Sequence, residues 1–423
     1  MSRSRWGVAA VMVGALSVSL APIANADEAI QIQGHNRAKT VGYFTQWGIY
    51  GRNFLVKNLV DNGTAARLTH LNYAFGFLDE KGTCVSADAW ADWQKPFTAE
   101  QSVSGKADEP GQALNGNLNQ LKQLKAKFPK LHINISLGGW TGSKYFSNAA
   151  LSPESRAAHV KSCVDMWIKG NLPGLPEGAA KGVFDGIDLD WEWPASPGND
   201  GNVVRPEDKQ NYTKLLIEYR KQLGWARDLT AFLPADPVQL DRGYEVLPVF
   251  CLLTFGTLQG YDYHGAWEPN ANQQSALRVP KGDPSPAEFS SEVTVNAYLR
   301  RGVPRSKAVL GVPFYSRGWT GVAPMNNGLF QTGTPAPGTY EAGYEDYRIL
   351  KSQQDKFKIY RDERAGFAWL YDGTTWWTYD DPTEMKRKAR FISDRRLGGA
   401  MIWSLDGDTA QGELIKALSS GLS

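Results

Sequence analysis

The feature that most constrains this 423-residue chain is an eightfold alternation of short apolar, β-branched or aromatic runs with longer helical patterns. The runs are Thr40 to Thr45, Leu68 to Phe77, Leu131 to Leu137, Gly182 to Trp191, Asp228 to Leu233, Leu253 to Gln259, Ala308 to Phe314 and Gly399 to Ser404. Strands alternating with helices argue for repeated βα units around a parallel sheet, and eight is the number that closes a TIM barrel. Between them, Asn115 to Lys127, Pro153 to Lys169, Pro206 to Leu223 and Pro286 to Arg301 carry apolar residues at three- and four-residue spacing. Three of these open with Pro, which suits a first helical turn.

One connection is out of scale. From the seventh run to the eighth there are roughly 80 residues, where a simple crossover needs ten to twenty or so. The stretch 320–379 is rich in Gly, Pro and aromatics and holds strand-like runs such as Phe367 to Tyr371. Its aromatic content argues against a disordered loop. The expected fold is therefore an α/β TIM (β/α)8 barrel with a small α+β insertion subdomain between strand 7 and helix 7, standing beside the barrel mouth. Such a wall would deepen a cleft there and favour gripping one long chain.

The N-terminus has Arg3 and Arg5, an apolar stretch from Val8 to Ile23, and Ala24-Asn25-Ala26 before Asp27. That is the layout of a secretory signal peptide over residues 1–26, cleaved after Ala26. The stretch contains Gly and Ser and is shorter than the roughly 20 strongly apolar residues of a membrane span. A secreted, extracellular protein with no membrane partner is expected. Net charge is +2 with 21% charged residues, so there is no basic stripe for nucleic acid. Of the three cysteines, Cys84, Cys163 and Cys251, two can pair after export, and sequence does not choose which. They lack zinc-site spacing, and the five His form no HExxH, so no metal or cofactor is implied. Fifteen Trp and a 12% aromatic share hint at stacking on sugar rings, although large aromatics are also ordinary core material.

The chemistry is concentrated in Asp185-Gly-Ile-Asp188-Leu-Asp190-Trp-Glu192. Asp188, Asp190 and Glu192 recur with period two while Ile187, Leu189 and Trp191 take the alternate positions, so a strand puts three carboxyls on one face. In a barrel the apolar set packs outward on helices and the acids point inward, toward the C-terminal mouth. The flanks are too apolar for a solvent-exposed edge strand, and three inward carboxyls are expensive to bury without a task. Like charges so placed share protons and some pKa values rise. A carboxylic acid kept protonated near neutrality is what glycosidic bond cleavage needs for its leaving group. Glu192, furthest toward the mouth and longest, is the candidate acid. A conventional retaining site needs a second carboxylate about 5 Å away across the sugar. Asp190 lies on the same side as Glu192, which points to a nucleophile supplied by the substrate.

At this point the acidic run resembles the DxxDxDxE signature of glycoside hydrolase family 18, which includes the chitinases. Other segments look like the family's motifs in the family's order, each at a strand's C-terminal end. Ser136-Leu-Gly138-Gly139-Trp140 is similar to SxGG, and Gln259-Gly-Tyr261-Asp262 to [MQ]xYD, with Gln where many members have Met. Tyr315-Ser-Arg317-Gly-Trp319 and Met401-Ile-Trp403 follow on the seventh and eighth strands. The segment Gly42 to Asn53 resembles bacterial chitinases that carry the seventh-strand insertion. The likeness spans about residues 39–415, and residues 27–423 are expected to form the catalytic domain, with no separate carbohydrate-binding module.

The resemblance implies retaining, substrate-assisted hydrolysis of chitin or chito-oligosaccharides by a monomer. Glu192 would be acid and then base. Asp190 would accept the acetamido N–H, with Asp188 holding the shared proton behind it, and Tyr261 would donate to the acetamido carbonyl. Asp262 would contact the distorted sugar or the leaving side. Trp403 would floor the cleaved sugar among Tyr43, Tyr315 and Arg317. Trp47, Trp140, Trp193, Trp267 and Gln259 are further substrate contacts. Gly138 and Gly139 are grouped with the binding residues for a tight turn beneath the acids, Ser136 for supporting the acid pair, and Asp185 for orienting the strand end. Two alternatives stand beside this. One is a chitin-binding lectin, which typically lacks the terminal acid that Glu192 supplies. The other is an endo-β-N-acetylglucosaminidase acting on N-glycans, which generally lacks the long insertion.

Overall fold

A computed structural model describes residues 38–422. The N-terminal segment read as a signal peptide lies outside the described residues. Eight parallel strands form the centre: Lys39–Thr45, His70–Leu78, His132–Gly138, Gly186–Asp190, Asp228–Leu233, Phe255–Leu258, Ala308–Pro313 and Gly399–Trp403. They are called barrel strands one to eight below. Consecutive strands are hydrogen-bonded neighbours, and the first pairs both with the eighth (Val41 opposite Met401) and with the second (Tyr43 opposite Asn72), so the sheet closes. A short antiparallel strand, Cys84–Ser86, hangs on the second barrel strand.

The period-two pattern sorts side chains into two cores. Ile187, Leu189 and Trp191 face outward into the cluster between sheet and helices, while Val41, Tyr43, Phe232, Phe255, Val309 and Met401 pack inside the barrel. Helix Gly116–Lys127 falls where expected, and Pro153–Cys163 begins on its Pro, with the Ser152 hydroxyl capping Ser155 N–H before the chain continues through a wider turn at Val164–Ile168. Two expected starts are displaced inward. The third helix begins at Asp208, not Pro206, and the fourth at Ser291, not Pro286. In the fourth, Ser290 accepts the Val293 N–H. A polar cap that satisfies an orphan donor outweighs a nearby Pro as a start signal.

The long connection after the seventh barrel strand forms its own antiparallel sheet from Tyr315–Thr320, Thr334–Pro335, Tyr344–Asp346, Lys358–Asp362, Phe367–Tyr371 and Trp376–Thr378, with helix Tyr347–Ser352. Trp319, Trp369 and Trp376 centre a separate core there. The sheet starts at Tyr315, five positions before the expected Thr320. The strand runs on almost directly from Pro313, so nothing in the local pattern marks a break.

Cys84 is bonded to Cys163, leaving Cys251 exposed as a free thiol. The bridge ties the antiparallel strand to helix Pro153–Cys163 across a sequence separation of 79 residues. Restricting a loop of that size stabilises a fold by about 4.5 kcal/mol at most through the unfolded chain. The paired change Cys84→Ser with Cys163→Ser is expected to cost about 2–4 kcal/mol of unfolding free energy. Denaturant titration checks this, and an unchanged midpoint would count against it.

Candidate active site

The fourth barrel strand places Asp188 and Asp190 inward and hands the chain to Glu192 at the mouth. Asp188 is fully buried and is held by donors from three other strands: Tyr43 O–H (2.7 Å) from the first, Ser136 O–H (2.8 Å) from the third and Thr230 O–H (2.5 Å) from the fifth. Burial still raises its pKa, with those hydrogen bonds pulling back toward the ionised form. Asp190, one layer up, has a carboxyl oxygen, Oδ1, with no partner among the described residues. Burial and then the neighbouring Glu192 and Asp188 charges push its pKa well above the usual carboxylate value.

Glu192 is raised to about 8, first by burial and then by the Asp262 charge, while its hydrogen bond with Asp190 works in the opposite direction. The pair therefore retains a proton through neutrality. The strand end that carries it is fixed by Ser143, whose hydroxyl accepts the Glu192 N–H (2.8 Å) and lies 3.0 Å from Asp190 C=O and 2.8 Å from Gly139 C=O. Asn202 Nδ2–H donates to Glu192 C=O (2.9 Å).

Across from these acids, Tyr261 stacks on Phe232 at 6.1 Å, and the one hydrogen-bond contact of its hydroxyl among the described residues is the weak acceptor Met401 Sδ, at 3.8 Å. Asp262, at φ 56°, turns its Oδ1 to Tyr315 O–H (2.7 Å) and Arg317 Nε–H (2.8 Å). Arg317 also lies over the Trp267 ring at 5.0 Å. The first strand of the insertion sheet thus builds one side of the site. Trp403 lies against Tyr43 (5.2 Å), Phe75 (5.7 Å) and Trp47 (6.4 Å) as an aromatic floor.

Together these groups line a cleft of about 850 Å³ at the barrel mouth. Tyr43, Trp47, Trp140, Asp190, Glu192, Trp193, Gln259, Tyr261, Asp262, Trp267, Tyr315, Arg317 and Trp403 all face it. Trp140 and Trp267 are 51% and 59% exposed, which leaves large apolar faces in water unless something flat covers them. Trp193 is nearly buried on Phe232.

Five expected site residues are not part of the lining. Asp188 and Ser136 sit one layer below it, as the hydrogen bonds above require. Gly138 and Gly139 do not border the cleft either. A Cβ on Gly138 would come within 2.2 Å of Asp190 C=O, and one on Gly139 within 2.6 Å of the Phe75 ring, both at positive φ, so these positions serve close packing. Asp185 lies at the opposite end of the strand, accepting Ile133 N–H (2.9 Å) and pairing with Lys125. It is a structural residue that fixes a strand end, as expected, but the end away from the acids.

Sequence reasoning missed Thr230, Phe232, Phe75, Ser143 and the rim residues Tyr340, Glu341 and Tyr344. Thr230 and Phe232 share the parity of the inward positions on the fifth strand, so alternation could have found them. Phe75 could not be found that way, because the second strand shifts register between Ala74 and Gly76.

The chain is 38% identical over 387 residues to "Chitinase 63" of Streptomyces plicatus (90% of this chain, 60% of the relative) and 39% identical over 378 residues to "Chitinase C" of Streptomyces lividans (88% and 58%). It spans about 60% of the length of these curated relatives. Among solved structures, the catalytic domain of psychrophilic chitinase B from Arthrobacter TAD20 superposes with a TM-score of 0.87 at 44% identity, covering 92% of this chain and 95% of that one. A Bacillus thuringiensis chitinase gives 0.80 at 32%, covering 91% and 69%. The profile described as glycosyl hydrolases family 18 matches residues 39–408, so on sequence, fold and the acidic strand alike the chain belongs to glycoside hydrolase family 18.

Proposed function

We propose that this chain is a chitinase that hydrolyses β-1,4 bonds between N-acetylglucosamine units with retention, using the substrate's own acetamido group as nucleophile. The observation that carries the reading is the column Asp188, Asp190, Glu192. Its outermost member is held protonated near neutrality, and its middle member has a carboxyl oxygen with no partner among the described residues. The names of the relatives support the substrate class. A carboxylate nucleophile is disfavoured because Asp262, on the facing side, is already engaged by Tyr315 and Arg317.

In this scheme Glu192 gives its proton to the glycosidic oxygen as the bond from C1 breaks. The acetamido carbonyl oxygen bonds to C1 and forms an oxazolinium ion, with Asp190 accepting the N–H and Tyr261 donating to that oxygen. Water then attacks C1, Glu192 takes its proton, and the ring reopens with the β configuration. The aromatic floor and the exposed Trp140 and Trp267 faces suit the C–H faces of flanking sugars.

The test is product analysis on chitin oligomers with the fresh anomer followed by NMR. β-Product from chitin oligomers, with no cleavage of a high-mannose glycopeptide, is the expected result. Binding without cleavage would mean a lectin, and glycopeptide cleavage a different glycosidase. We further propose that the chain is exported with cleavage after Ala26, which N-terminal mass analysis of secreted protein checks. Residues 320–379 are proposed to act as a subdomain walling the cleft.

Asp262→Asn offers a narrower check. It removes a charge that raises Glu192 and frees the Arg317 cation, and both changes favour ionised Glu192. The alkaline limb of kcat/KM is expected to move to lower pH by roughly one unit. A limb that stays put or moves up would show that Asp262 does not act on the acid.

A further inference from the structure

At the end of the barrel opposite the cleft, three inward side chains stand at the first positions of their strands: His70 on the second, His132 on the third and Asp228 on the fifth. Their ligand-capable atoms all lie within 4.8 Å of one another. His132 Nδ1 is 2.7 Å from Asp228 Oδ2, and His70 Nε2 is 3.5 Å from the same oxygen. Two ligand atoms each about 2.05 Å from one tetrahedral ion are separated by about 3.4 Å, so the His70 spacing fits a shared ion better than a hydrogen bond.

The surroundings fit the same reading. Thr69 Oγ1 lies 2.8 Å from His70 Nδ1, accepts the Thr40 N–H (3.0 Å) and is 3.2 Å from Thr40 C=O. With the hydroxyl proton donated to that carbonyl, His70 Nδ1–H donates to Thr69 and the Nε2 lone pair is left facing Asp228. This is the outer hydrogen bond that orients a metal-binding imidazole. The fourth strand, which separates His132 from Asp228, begins with Gly186. A Cβ there would sit 2.5 Å from Asp228 Cβ and 2.8 Å from Asn134 Oδ1, so the missing side chain lets Asp228 reach across. Directly above, Asn72 and Asn134 pair in register and are fully buried. Their side-chain amides have no partner among the described residues. Four such atoms beside a polar cluster call for water, and an ion's bound water would supply it. His132 is about half exposed on its side chain, which gives an ion a path in. Lys39 and Arg220 also direct positive charge at Asp228, so the site competes with built-in cations.

We propose that His70, His132 and Asp228 form a binding site for a zinc-class divalent cation with an open fourth position for water, which ties barrel strands two, three and five at the end remote from catalysis. Sequence spacing concealed it because the ligands come from three separate strands.

The experiment is calorimetric titration of the full chain, purified without a polyhistidine tag, with Zn²⁺ itself, alongside the His132→Ala and Glu192→Gln variants. One equivalent is expected in wild type and in Glu192→Gln, with at least tenfold weaker binding in His132→Ala. Wild-type Tm is expected to rise by about 3 °C at zinc a hundredfold above Kd. His132 is the half-exposed ligand, so its loss leaves the fold intact for comparison. No stoichiometric binding in wild type would overturn the proposal. Equal binding in His132→Ala, or loss of binding in Glu192→Gln, would overturn it by placing the ion elsewhere.

Discussion

Glu192→Gln is expected to lower kcat on chitin oligomers by about 10²- to 10⁴-fold, the range general acid catalysis supplies, with KM little changed because the amide keeps the shape of the side chain. The same substitution has an opposite effect on stability. Burial pushes Glu192 up to about 8 in the folded chain from its ordinary 4.5, so the folded state binds more protons than the unfolded chain between those values. Stability from this group is complete below about 4.5 and is lost as pH rises through about 8. Gln carries no such charge, so the variant should be more stable than wild type at pH 8 to 9, on the order of 1–2 kcal/mol once screening through the open cleft is allowed for. The wild-type rate should fall over the same alkaline range, because the first step needs the protonated acid. Thermal unfolding of both proteins from pH 5 to 9, set beside the pH–rate profile, tests the two halves together. An inactive variant with no alkaline gain in stability would mean that Glu192 is not the buried, proton-retaining group.

The barrel was legible because its signal is redundant. Eight separate runs each carry the inward and outward sorting that Asp188 and Ile187 show on the fourth strand, and closure follows from number. The acid column was legible for the same reason, since a strict two-residue repeat leaves carboxyls no other face. Where the backbone departs from that repeat, legibility ends. The register shift between Ala74 and Gly76 turns Phe75 into the cleft beside Trp403 against its strand's parity.

Other gaps come from contacts that are distant in sequence. The Cys84–Cys163 choice depends on where the Cys84–Ser86 strand docks, and no spacing encodes that. Asp185 was grouped with the site because it belongs to the same motif, yet a strand has two ends. Its partners, Lys125 and Ile133 N–H, show that the motif's first acid secures the end away from the mouth. Gly138 and Gly139 illustrate a related point. A glycine in a site motif can be there to let two backbones meet, as the 2.2 Å approach of an added Cβ to Asp190 C=O requires.

Tyr261→Phe is the second large effect expected, and the one that most directly probes the nucleophile. The ring stacks on Phe232 and the hydroxyl's one hydrogen-bond contact among the described residues is the weak acceptor Met401 Sδ, so removing the oxygen deletes no strong structural hydrogen bond and stability should change by less than about 0.5 kcal/mol. Burial and the surrounding carboxylates keep the phenol protonated far above its ordinary range, so it is a donor at every working pH. A single preorganised donor that holds the nucleophilic oxygen in its attack geometry is worth about 10²-fold in kcat. The loss should fall on kcat more than on KM, because the hydrogen bond holds the acetamido oxygen in line with C1, a placement that bond formation needs and binding does not. The alkaline limb should not move, in contrast to Asp262→Asn, since Tyr261 carries no charge to pass to Glu192. A kcat within threefold of wild type would remove Tyr261 from the reaction, and would leave the acetamido oxygen without the protein donor that the substrate-assisted scheme assigns to it.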